Sequence, residues 1–313
     1  MTRKEGVVLK GTGGVWHVRA ESGETHEASL RGRLKQEREE AKKLAVGDRV
    51  VLEIDQRGTH WAIADILPRH SQLARRVPGE GQGERIVAAN VDQVVIVFAA
   101  TKPEPHRRML DRFLVIAEAN SLESRIIINK IELVNREETE RGFADYSAAG
   151  YPVHFTSVKQ RIGLEELHDA LAGKMSVLTG PSGVGKSSLM NAMYPGLDLR
   201  VGEISESVQK GRHTTVGALL HPLPDAGYVV DSPGLREVGM WGLASEHLDE
   251  CFREFRVYIP SCKFGNCTHR VEPGCAVREA VDHGQISAAR YDSYSRLREE
   301  IEQEERRSVR AKR

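Results

Sequence analysis

Residues 180–187, GPSGVGKS, constrain the fold of this chain more than any other segment. They match the pattern G-x-x-x-x-G-K-[ST] at every defined position, and this pattern needs a strand before it and a helix after it. Both are predicted here, because the apolar run Met175–Thr179 precedes the loop and SLMNAM, residues 188–193, follows it. The pattern therefore predicts a phosphate-binding loop in an α/β domain rather than a glycine-rich turn without a ligand.

The residue types in this loop are those that phosphate binding requires. Glycines allow backbone N–H groups to converge on phosphate oxygens, and the start of the following helix adds a favourable dipole. Lys186 would reach the β- and γ-phosphates, and the Ser187 hydroxyl would bind Mg²⁺. The nucleotide-binding residues predicted here are Gly180, Pro181, Ser182, Gly183, Val184, Gly185, Lys186, Ser187 and Ser188.

A second nucleotide-binding element is predicted at residues 231–234, DSPG, which follow an apolar strand. Asp231 would hold Mg²⁺ through a water molecule, and the Gly234 amide would contact the γ-phosphate. Two threonines precede this element, and either would complete the Mg²⁺ shell; we assign Thr215, with Thr214 as the alternative. These residues predict that Mg²⁺ accompanies the nucleotide.

Base recognition is predicted at NKIE, residues 129–132, which end another apolar strand. A carboxylate in the last position accepts hydrogen bonds from guanine N1–H and N2–H, and Glu132 keeps both acceptor oxygens on a longer side chain than the usual aspartate. In FTSVK, after a further strand, a backbone amide would reach guanine O6. An incidental strand-end loop is the alternative for NKIE. The predicted base-binding residues are Asn129, Lys130, Glu132, Ser157 and Val158.

The order of these elements along the chain is unusual. In most GTPases the phosphate loop comes first and the base-recognition elements last, whereas here NKIE and TSVK precede GPSGVGKS, which precedes DSPG. Joining nearby domain termini and cutting the chain elsewhere preserves a packed sheet. The order therefore predicts a circularly permuted domain in which the segment after DSPG leads directly into the C-terminal region.

Further domains are predicted on both sides of the α/β domain. Residues 1–68 contain about five short strands broken by glycine and polar turns, which predicts a small β-barrel of the OB-fold type; an SH3-like or other small β-domain is the alternative. Residues 69–90 lack an apolar period and contain three glycines and a proline, so we predict a linker or mobile loop. The α/β domain is assigned to residues 91–245, and a mainly helical metal-binding domain to residues 246–313.

Four residues near the C-terminus predict a metal site. Cys262, Cys267, His269 and Cys275 have the spacing C-x4-C-x-H-x5-C. A Cys₃His set suits a tetrahedral structural Zn²⁺ and leaves no open position for a reacting water. Free buried cysteines near an unrelated histidine are the alternative. The remaining cysteine, Cys251, lies in the apolar-periodic stretch LDECFREF and is predicted to be a core helix position.

Composition limits the partners that the chain attracts. Its 45 basic and 45 acidic residues cancel, so contacts with nucleic acid or an anionic membrane would need local patches. The longest apolar run, Val94–Ala100, is too short to cross a bilayer, and the N-terminus lacks a signal-peptide core, so we expect a cytoplasmic protein. Residues 286–313 predict a long charged helix whose basic end is either a frayed terminus or a set of phosphate contacts.

The whole set of motifs resembles the ribosome small subunit-dependent GTPase A family. The resemblance rests on AANVDQ at residues 88–93, GRHTT at residues 211–215, DSPG, the permuted motif order and the Cys–His cluster, and it covers nearly the whole chain. It implies a circularly permuted GTPase between an OB-fold and a zinc-binding domain. It also implies a role in late maturation of the small ribosomal subunit, with hydrolysis stimulated by that subunit. Glu132, where the family pattern usually has aspartate, departs from the family and bears on guanine selectivity.

Water activation is the least conventional part of the predicted site. In many GTPases a glutamine directly after D-x-x-G orients the attacking water, but Leu235 occupies that position here. The nearest polar candidate is His213, and the resemblance implies a catalytic role for the histidine of GRHTT; a solvated loop residue is the alternative. Intrinsic turnover is therefore expected to be slow.

The expected function is hydrolysis of GTP to GDP and phosphate that times release from the small ribosomal subunit. The expected cofactors are one structural Zn²⁺ and Mg²⁺ with GTP. The expected partners are GTP or GDP, the small subunit and its rRNA, which the barrel and the zinc domain would hold, and we expect a monomer with no membrane contact. Two alternatives stay open: a nucleotide-regulated RNA-binding module with incidental hydrolysis, and a P-loop ATPase or kinase, in which NKIE and TSVK would have no role.

Overall fold

The computed structural model describes residues 3–31, 44–54, 60–76, 84–197, 199, 218–231 and 243–311. The strands are β1 (Arg3–Thr12), β2 (Val15–Ala20), β3 (Thr25–Leu30), β4 (Arg49–Ile54), β5 (Trp61–Ile66), β6 (Gln72–Arg76), β7 (Glu84–Ala89), β8 (Gln93–Ala99), β9 (Glu123–Asn129), β10 (Val153–Thr156), β11 (Met175–Thr179), β12 (Leu219–Pro222) and β13 (Tyr228–Asp231). The α-helices are α1 (Arg107–Ala119), α2 (Arg136–Gly142), α3 (Ala144–Ala148), α4 (Leu164–Leu171), α5 (Lys186–Met193), α6 (Ala276–Asp282) and α7 (Ala288–Ala311). Shorter 3₁₀ turns lie at Ile131–Leu133, Ser245–His247, Asp249–Cys251, Arg253–Phe255 and Ile259–Ser261. In the described ranges, no helix combines the length and apolar character that a membrane span requires.

The first five strands close into a barrel, as the sequence predicts. The strand order is β1-β2-β3-β5-β4, with β1 also paired to β4 and with β3 parallel to β5. Its interior is filled by apolar side chains from alternate positions, among them Val8, Val18 and Ile63, which are fully buried. Trp16 faces Gly11 across the β1–β2 pair, where a Cβ would come within 2.4 Å of the indole ring. Because Gly11 has no Cβ, it makes room in β1 for the Trp16 ring.

The segment predicted to be a linker differs in the structure, because most of its described residues form a hairpin. Strands β6 and β7 pair antiparallel on either side of residues 77–83, which lie outside the described residues. The expectation of irregular structure is therefore wrong for these strands. Leu73 and Ala88 are buried in the main core, which explains why the strands form despite the glycines and proline between them. The two strands are only five and six residues long, and the apolar residues of β7 are consecutive and do not alternate.

The barrel is joined to this hairpin by buried polar contacts. The guanidinium of Arg69 binds both carboxylate oxygens of Asp48, at 2.6 and 2.8 Å, and Asp48 is fully buried. The Ala89 N–H donates to Val46 O at 2.8 Å. Gly47, between them, has a φ of +85°, and a Cβ there would lie 2.2 Å from Ala89 O. Only glycine fits this close approach of the two backbones.

The central domain is a six-stranded sheet in the order β10-β9-β8-β11-β13-β12. All neighbouring pairs are parallel except β12 with β13. Every residue of β8 is buried, and its side chains alternate between two apolar clusters. One cluster includes Leu110 and Leu114 of α1, and the other includes Leu167 of α4 and Leu189 of α5. The sheet is therefore covered on both faces, as the continuous apolar strands predict.

The sheet order shows the permutation in three dimensions. Strand β11, which leads into the phosphate loop, lies between β8 and β13. The strands on its β8 side come earlier in the chain, and those on its β13 side come later. A chain that began at β11 and joined β13 to β8 would build the same sheet with the phosphate loop first.

The C-terminal region is mainly helical, as predicted, and shares its core with the α/β domain. Tyr294, Leu297 and Ile301 of α7 are buried in the same apolar cluster as α1 and β8. Cys251 is buried there too, so its predicted core position is confirmed, although its element is a 3₁₀ turn. Burial raises the pKa of the Cys251 thiol to about 12, which keeps it neutral.

One buried arginine anchors α7 to the α/β domain. The Arg290 guanidinium is 1% exposed, donates to Glu254 at 2.7 and 3.1 Å, and also binds Asp111 of α1. Its carbon lies 4.7 Å from the centre of the Phe252 ring. Burial works against the charge, but the two carboxylates outweigh it and raise the pKa of Arg290. The charges of Arg290, Asp111 and Glu254 are therefore paired only when all three side chains are present.

We expect Arg290→Ala to lower the free energy of unfolding by about 3–5 kcal/mol, because it leaves the buried carboxylate of Asp111 and the partly buried carboxylate of Glu254 without their partner. The matched control is Arg296→Ala on the same helix, whose arginine pairs with Asp292 but is 56% exposed. That pair should contribute less than about 1 kcal/mol. Urea unfolding of the two variants and the unaltered protein measures both values, and equal losses would contradict the assignment of Arg290 as the anchor.

Candidate functional site

The segment predicted to bind phosphate is a tight loop between β11 and α5. Its three glycines all have positive φ, +133° at Gly180, +77° at Gly183 and +94° at Gly185. A Cβ at Gly180 would lie 2.0 Å from Val97 O, and one at Gly185 would lie 2.6 Å from Asn129 Nδ2. The loop can therefore pass this close to β8 and β9 only with glycine at these positions.

Lys186 and Ser187 begin α5, and both side chains are buried under the loop. Lys186 Nζ donates to Gly180 O at 2.9 Å and to Pro181 O at 2.7 Å. The ammonium group is thus held at the loop itself, where phosphate oxygens would be bound. Of the other predicted loop residues, Ser182 is exposed, Val184 is buried, and Pro181 and Ser188 are half-buried.

NKIE packs directly against this loop. Asn129 Nδ2 donates to Val184 O at 2.9 Å, and Lys130 Nζ donates to Gly183 O at 2.6 Å. Lys130 Nζ also binds Lys102 O, and Thr156 Oγ1 contacts Asn129 Oδ1 at 3.2 Å. Two elements that are about 50 residues apart in the sequence are therefore one structural unit, which argues against an incidental strand-end loop.

Glu132 lies in the turn Ile131–Leu133 that follows. Its Oε2 atom is buried and has no hydrogen-bond partner in the described structure. A buried carboxylate oxygen without a donor costs free energy unless a ligand supplies one. The unpaired acceptor is what a reader of guanine N–H groups needs in the absence of the base.

The second base-recognition segment follows β10. The Ser157 N–H donates to Ile162 O at 3.0 Å, and Ser157 Oγ accepts from Gln160 N at 3.1 Å. Ser157 therefore shapes the turn with both groups. This leaves the amide of the half-buried Val158 as the candidate for guanine O6.

The remaining predicted nucleotide residues are only partly within the described structure. The Asp231 backbone ends β13 opposite Leu178, one residue before the end of the phosphate-loop strand. His213, Thr214, Thr215 and Gly234 lie outside the described residues. Their predicted roles therefore stay predictions.

The four predicted metal ligands do come together. The ligand atoms of Cys262, Cys267, His269 and Cys275 all lie within 4.8 Å of one another. The last three residues are buried, and His269 has a φ of +59°, which turns the backbone at the centre of the cluster. Four such groups close to one point can hold a metal ion, which argues against the alternative of cysteines near an unrelated histidine.

The donor set and its surroundings fit Zn²⁺. Desolvation raises the pKa of Cys267 to about 12, so a thiolate there needs a nearby cation. Glu272 holds the turn, because its carboxylate accepts from the N–H groups of Thr268, Arg270 and Val271. Three sulfurs and one imidazole nitrogen match a structural zinc site with all positions filled by protein.

Comparison with known proteins decides the family. A model of the RsgA N-terminal domain matches residues 5–61, and a model of the RsgA GTPase matches residues 66–241. The chain belongs to the RsgA GTPase family. The small ribosomal subunit biogenesis GTPase RsgA of Gemmatimonas aurantiaca is 60% identical over 301 residues, 96% of this chain and 98% of the relative. The protein of the same name from Phocaeicola vulgatus is 39% identical over 306 residues, 96% of this chain and 97% of the relative.

Solved structures of related proteins have the same architecture. YjeQ from Thermotoga maritima has a TM-score of 0.80 at 36% identity and covers 96% of this chain and 99% of its own. YloQ, described as a circularly permuted GTPase, has a TM-score of 0.75 at 31% identity and covers 97% of this chain and 96% of its own. The predicted family, the OB-like barrel and the circular permutation are therefore confirmed.

Sequence reasoning missed two residues that the structure brings to the predicted sites. Thr156 contacts Asn129, and the only signal for it is its place directly before Ser157 at the end of a predicted strand. Asp249 contacts His269 at 3.1 Å, and nothing in the ligand spacing points to it, because it precedes the cysteine cluster and belongs to a separate turn.

We expect Glu132→Ala to weaken GTP and GDP binding by a factor of about 10² or more and to leave ATP binding unchanged. Each hydrogen bond from guanine to the carboxylate contributes about 1.5–3 kcal/mol, and both are lost. Competition of the three nucleotides against a fluorescent GDP measures the change. Glu132→Asp is the matched control and should keep guanine preference, whereas Lys186→Ala should abolish tight binding of GTP. Unchanged GTP and GDP affinity in Glu132→Ala would show that NKIE is not the guanine reader.

Proposed function

We propose that this chain is a Mg²⁺-dependent GTPase that acts in late maturation of the small ribosomal subunit and hydrolyses GTP to GDP and phosphate to time its release. The observation that carries the guanine assignment is the contact of Asn129 and Lys130 with the phosphate loop, next to the unpaired Oε2 of Glu132. These contacts support the proposal that one structural unit binds both the phosphates and the base. A P-loop ATPase or kinase gives these residues no role.

The ribosomal part of the proposal is supported by the relatives. Proteins that align with 96% of this chain are named small ribosomal subunit biogenesis GTPases. We infer that the barrel and the C-terminal metal-binding region hold rRNA while the nucleotide sets the docked state. The protein would act as a cytoplasmic monomer with GTP or GDP and the small subunit as partners.

The phosphates of GTP would be bound by the N–H groups of the loop and by Lys186. Ser187 and Thr215, with Thr214 as the alternative, would hold Mg²⁺ directly, and Asp231 would hold it through water. Mg²⁺ bound with GTP neutralises charge that develops on the β- and γ-phosphates. The Gly234 amide would bind the γ-phosphate, so its loss on hydrolysis would release the segment that leads into the C-terminal region.

The attacking water needs a group to orient it, and the side chain of Leu235 has no polar atom for this purpose. We infer that His213 takes this role once the subunit orders its loop, which would make intrinsic turnover slow and stimulated turnover fast. The apolar side chain at this position also favours the second candidate function, a nucleotide-regulated RNA-binding module in which hydrolysis is incidental. Turnover measured with and without small subunits separates the two candidates.

We expect His213→Ala to keep GTP binding and to lose subunit-stimulated turnover by a factor on the order of 10² or more, because a positioned general base contributes about that much. His283→Ala is the matched control, since His283 is exposed at the end of α6 and far along the chain from the nucleotide elements. The measurement is phosphate release with and without small ribosomal subunits. Undiminished stimulation in His213→Ala would mean that the subunit or another residue positions the water.

We further propose that the Cys₃His cluster binds one structural Zn²⁺. Metal analysis of protein purified without chelator should find one equivalent, and Cys267→Ser should lower zinc affinity and increase amide exchange in residues 259–275. Exchange in β8, β9 and β11 should stay slow, because these strands have their own buried core. Cys251→Ser is the matched control, a buried cysteine outside the cluster that should leave zinc affinity unchanged. Finding no zinc in the unaltered protein would contradict the site.

A further inference from the structure

The two ring nitrogens of His269 face different groups. Nδ1 lies 3.6 Å from Cys262 Sγ and 3.4 Å from Cys275 Sγ, so it points into the cluster of metal ligands. Nε2 points the other way and lies 3.1 Å from Asp249 Oδ2. The ring is 1% exposed and is thus shielded from bulk solvent.

The carboxylate determines which nitrogen is able to bind a metal. A neutral imidazole carries one proton, and an ionised carboxylate is only an acceptor. Contact with Asp249 therefore keeps the proton on Nε2 and leaves the lone pair of Nδ1 free to bind the metal. Without this contact either nitrogen could carry the proton, and one of the two tautomers has no lone pair on the side of the cysteines.

Asp249 lies in a turn that is anchored in the apolar core, and this core also includes Cys267 and Cys275. It begins the turn Asp249–Cys251, whose neighbours Leu248 and Phe252 are fully buried in the shared apolar cluster. The ring of His269 is flanked by Phe255 and Tyr294, with centroids 6.2 and 6.1 Å away. Aromatic rings of the core therefore flank the imidazole that contacts Asp249.

The second oxygen of the carboxylate gives an independent sign of function. Asp249 is 8% exposed, and its Oδ1 atom is buried with no hydrogen-bond partner in the described structure. Burying a carboxylate with one oxygen unsatisfied lowers stability. Packing alone gives no reason for an aspartate here, whereas orientation of a metal-binding histidine does.

We propose that Asp249 is a positioning residue of the metal site, which accepts a hydrogen bond from His269 Nε2–H and thereby directs Nδ1 to the metal. The proposal rests on the zinc site proposed above. It extends that site beyond the segment Cys262–Cys275 to the turn Asp249–Cys251, which lies between DSPG and the cysteine cluster in the chain. Metal binding would then stabilise the contact between this turn and the cysteine cluster, and the turn would in return raise metal affinity.

The first test compares zinc affinities by competition with a chromophoric chelator, using the full chain. Asp249→Ala should weaken zinc binding by about 10–100-fold, the usual effect of removing such a partner. Asp249→Asn should weaken it less, because the amide oxygen still accepts the Nε2 proton but carries no charge. Glu250→Gln makes the same chemical change at the next residue, whose side chain is exposed, and should leave zinc affinity within about 2-fold of the unaltered protein.

The second test reads the ring directly and needs no variant to fold. In zinc-loaded, ¹⁵N-labelled protein, long-range ¹H–¹⁵N spectra should show His269 with Nε2 protonated and Nδ1 bound to metal. Metal bound to Nε2, or Asp249→Ala with the zinc affinity of Glu250→Gln, would overturn the role of Asp249. Absence of zinc binding in the unaltered protein would instead overturn the zinc site itself, so the two failures are distinguishable.

Discussion

Two hydrogen bonds to carbonyl oxygens of the phosphate loop underlie the rest of the nucleotide site. Asn129 and Lys130 donate to Val184 O and Gly183 O, and so connect the end of β9 to the loop after β11. The strand between them, β8, is approached so closely by Gly180 that a side chain there would overlap Val97 O. Three neighbouring strand ends therefore set the distance between the phosphate loop and NKIE. This distance depends on the order of strands in the sheet and not on their order in the chain, which is why a permuted chain forms the same site.

Much of this arrangement could be predicted because its determinants are local. The strand and helix around GPSGVGKS, the apolar run of β8 and the spacing of the four metal ligands all lie within short segments. The parts that could not be predicted depend on partners far away in the sequence. In the sequence Arg290 is one of many charged residues of α7, and only the fold brings Asp111 and Glu254 next to it. Similarly, the β6–β7 hairpin forms because Leu73 and Ala88 are buried in the shared core.

The C-terminal region is tied to the α/β domain mainly by arginines that meet acidic groups of α1. Arg253 and Arg256 both bind the carboxylate of Glu118, at 2.6 Å each, in addition to the contact between Arg290 and Asp111. Glu118 is 6% exposed and Arg253 is 20% exposed, so their pair is largely shielded from solvent, whereas Arg256 is 47% exposed. Together with the continuous core, they attach the C-terminal region to α1.

The motif AANVDQ acquires a physical explanation from the joint between the barrel and the sheet. Asn90 donates from Nδ2 to Gly47 O of the barrel at 2.9 Å, and its Oδ1 accepts from His70 N at 3.1 Å. Two residues later, Asp92 accepts from the N–H of Met175 at 2.7 Å, at the start of the phosphate-loop strand. The side chain of Gln93 donates from Nε2 to Ala170 O at 2.9 Å and to Ser176 Oγ at 3.0 Å.

Asn90, Asp92 and Gln93 lie within four consecutive residues at the start of β8. Their side chains form hydrogen bonds with backbone or hydroxyl groups of the barrel, of β11 and of α4. Apolar residues in their place would leave buried N–H and C=O groups unpaired. Because β8 neighbours β11 directly, the same few residues that hold the barrel also hold the strand that carries the phosphate loop. A barrel docked on a large partner would therefore hold the sheet that carries the phosphate loop at a fixed angle to that partner.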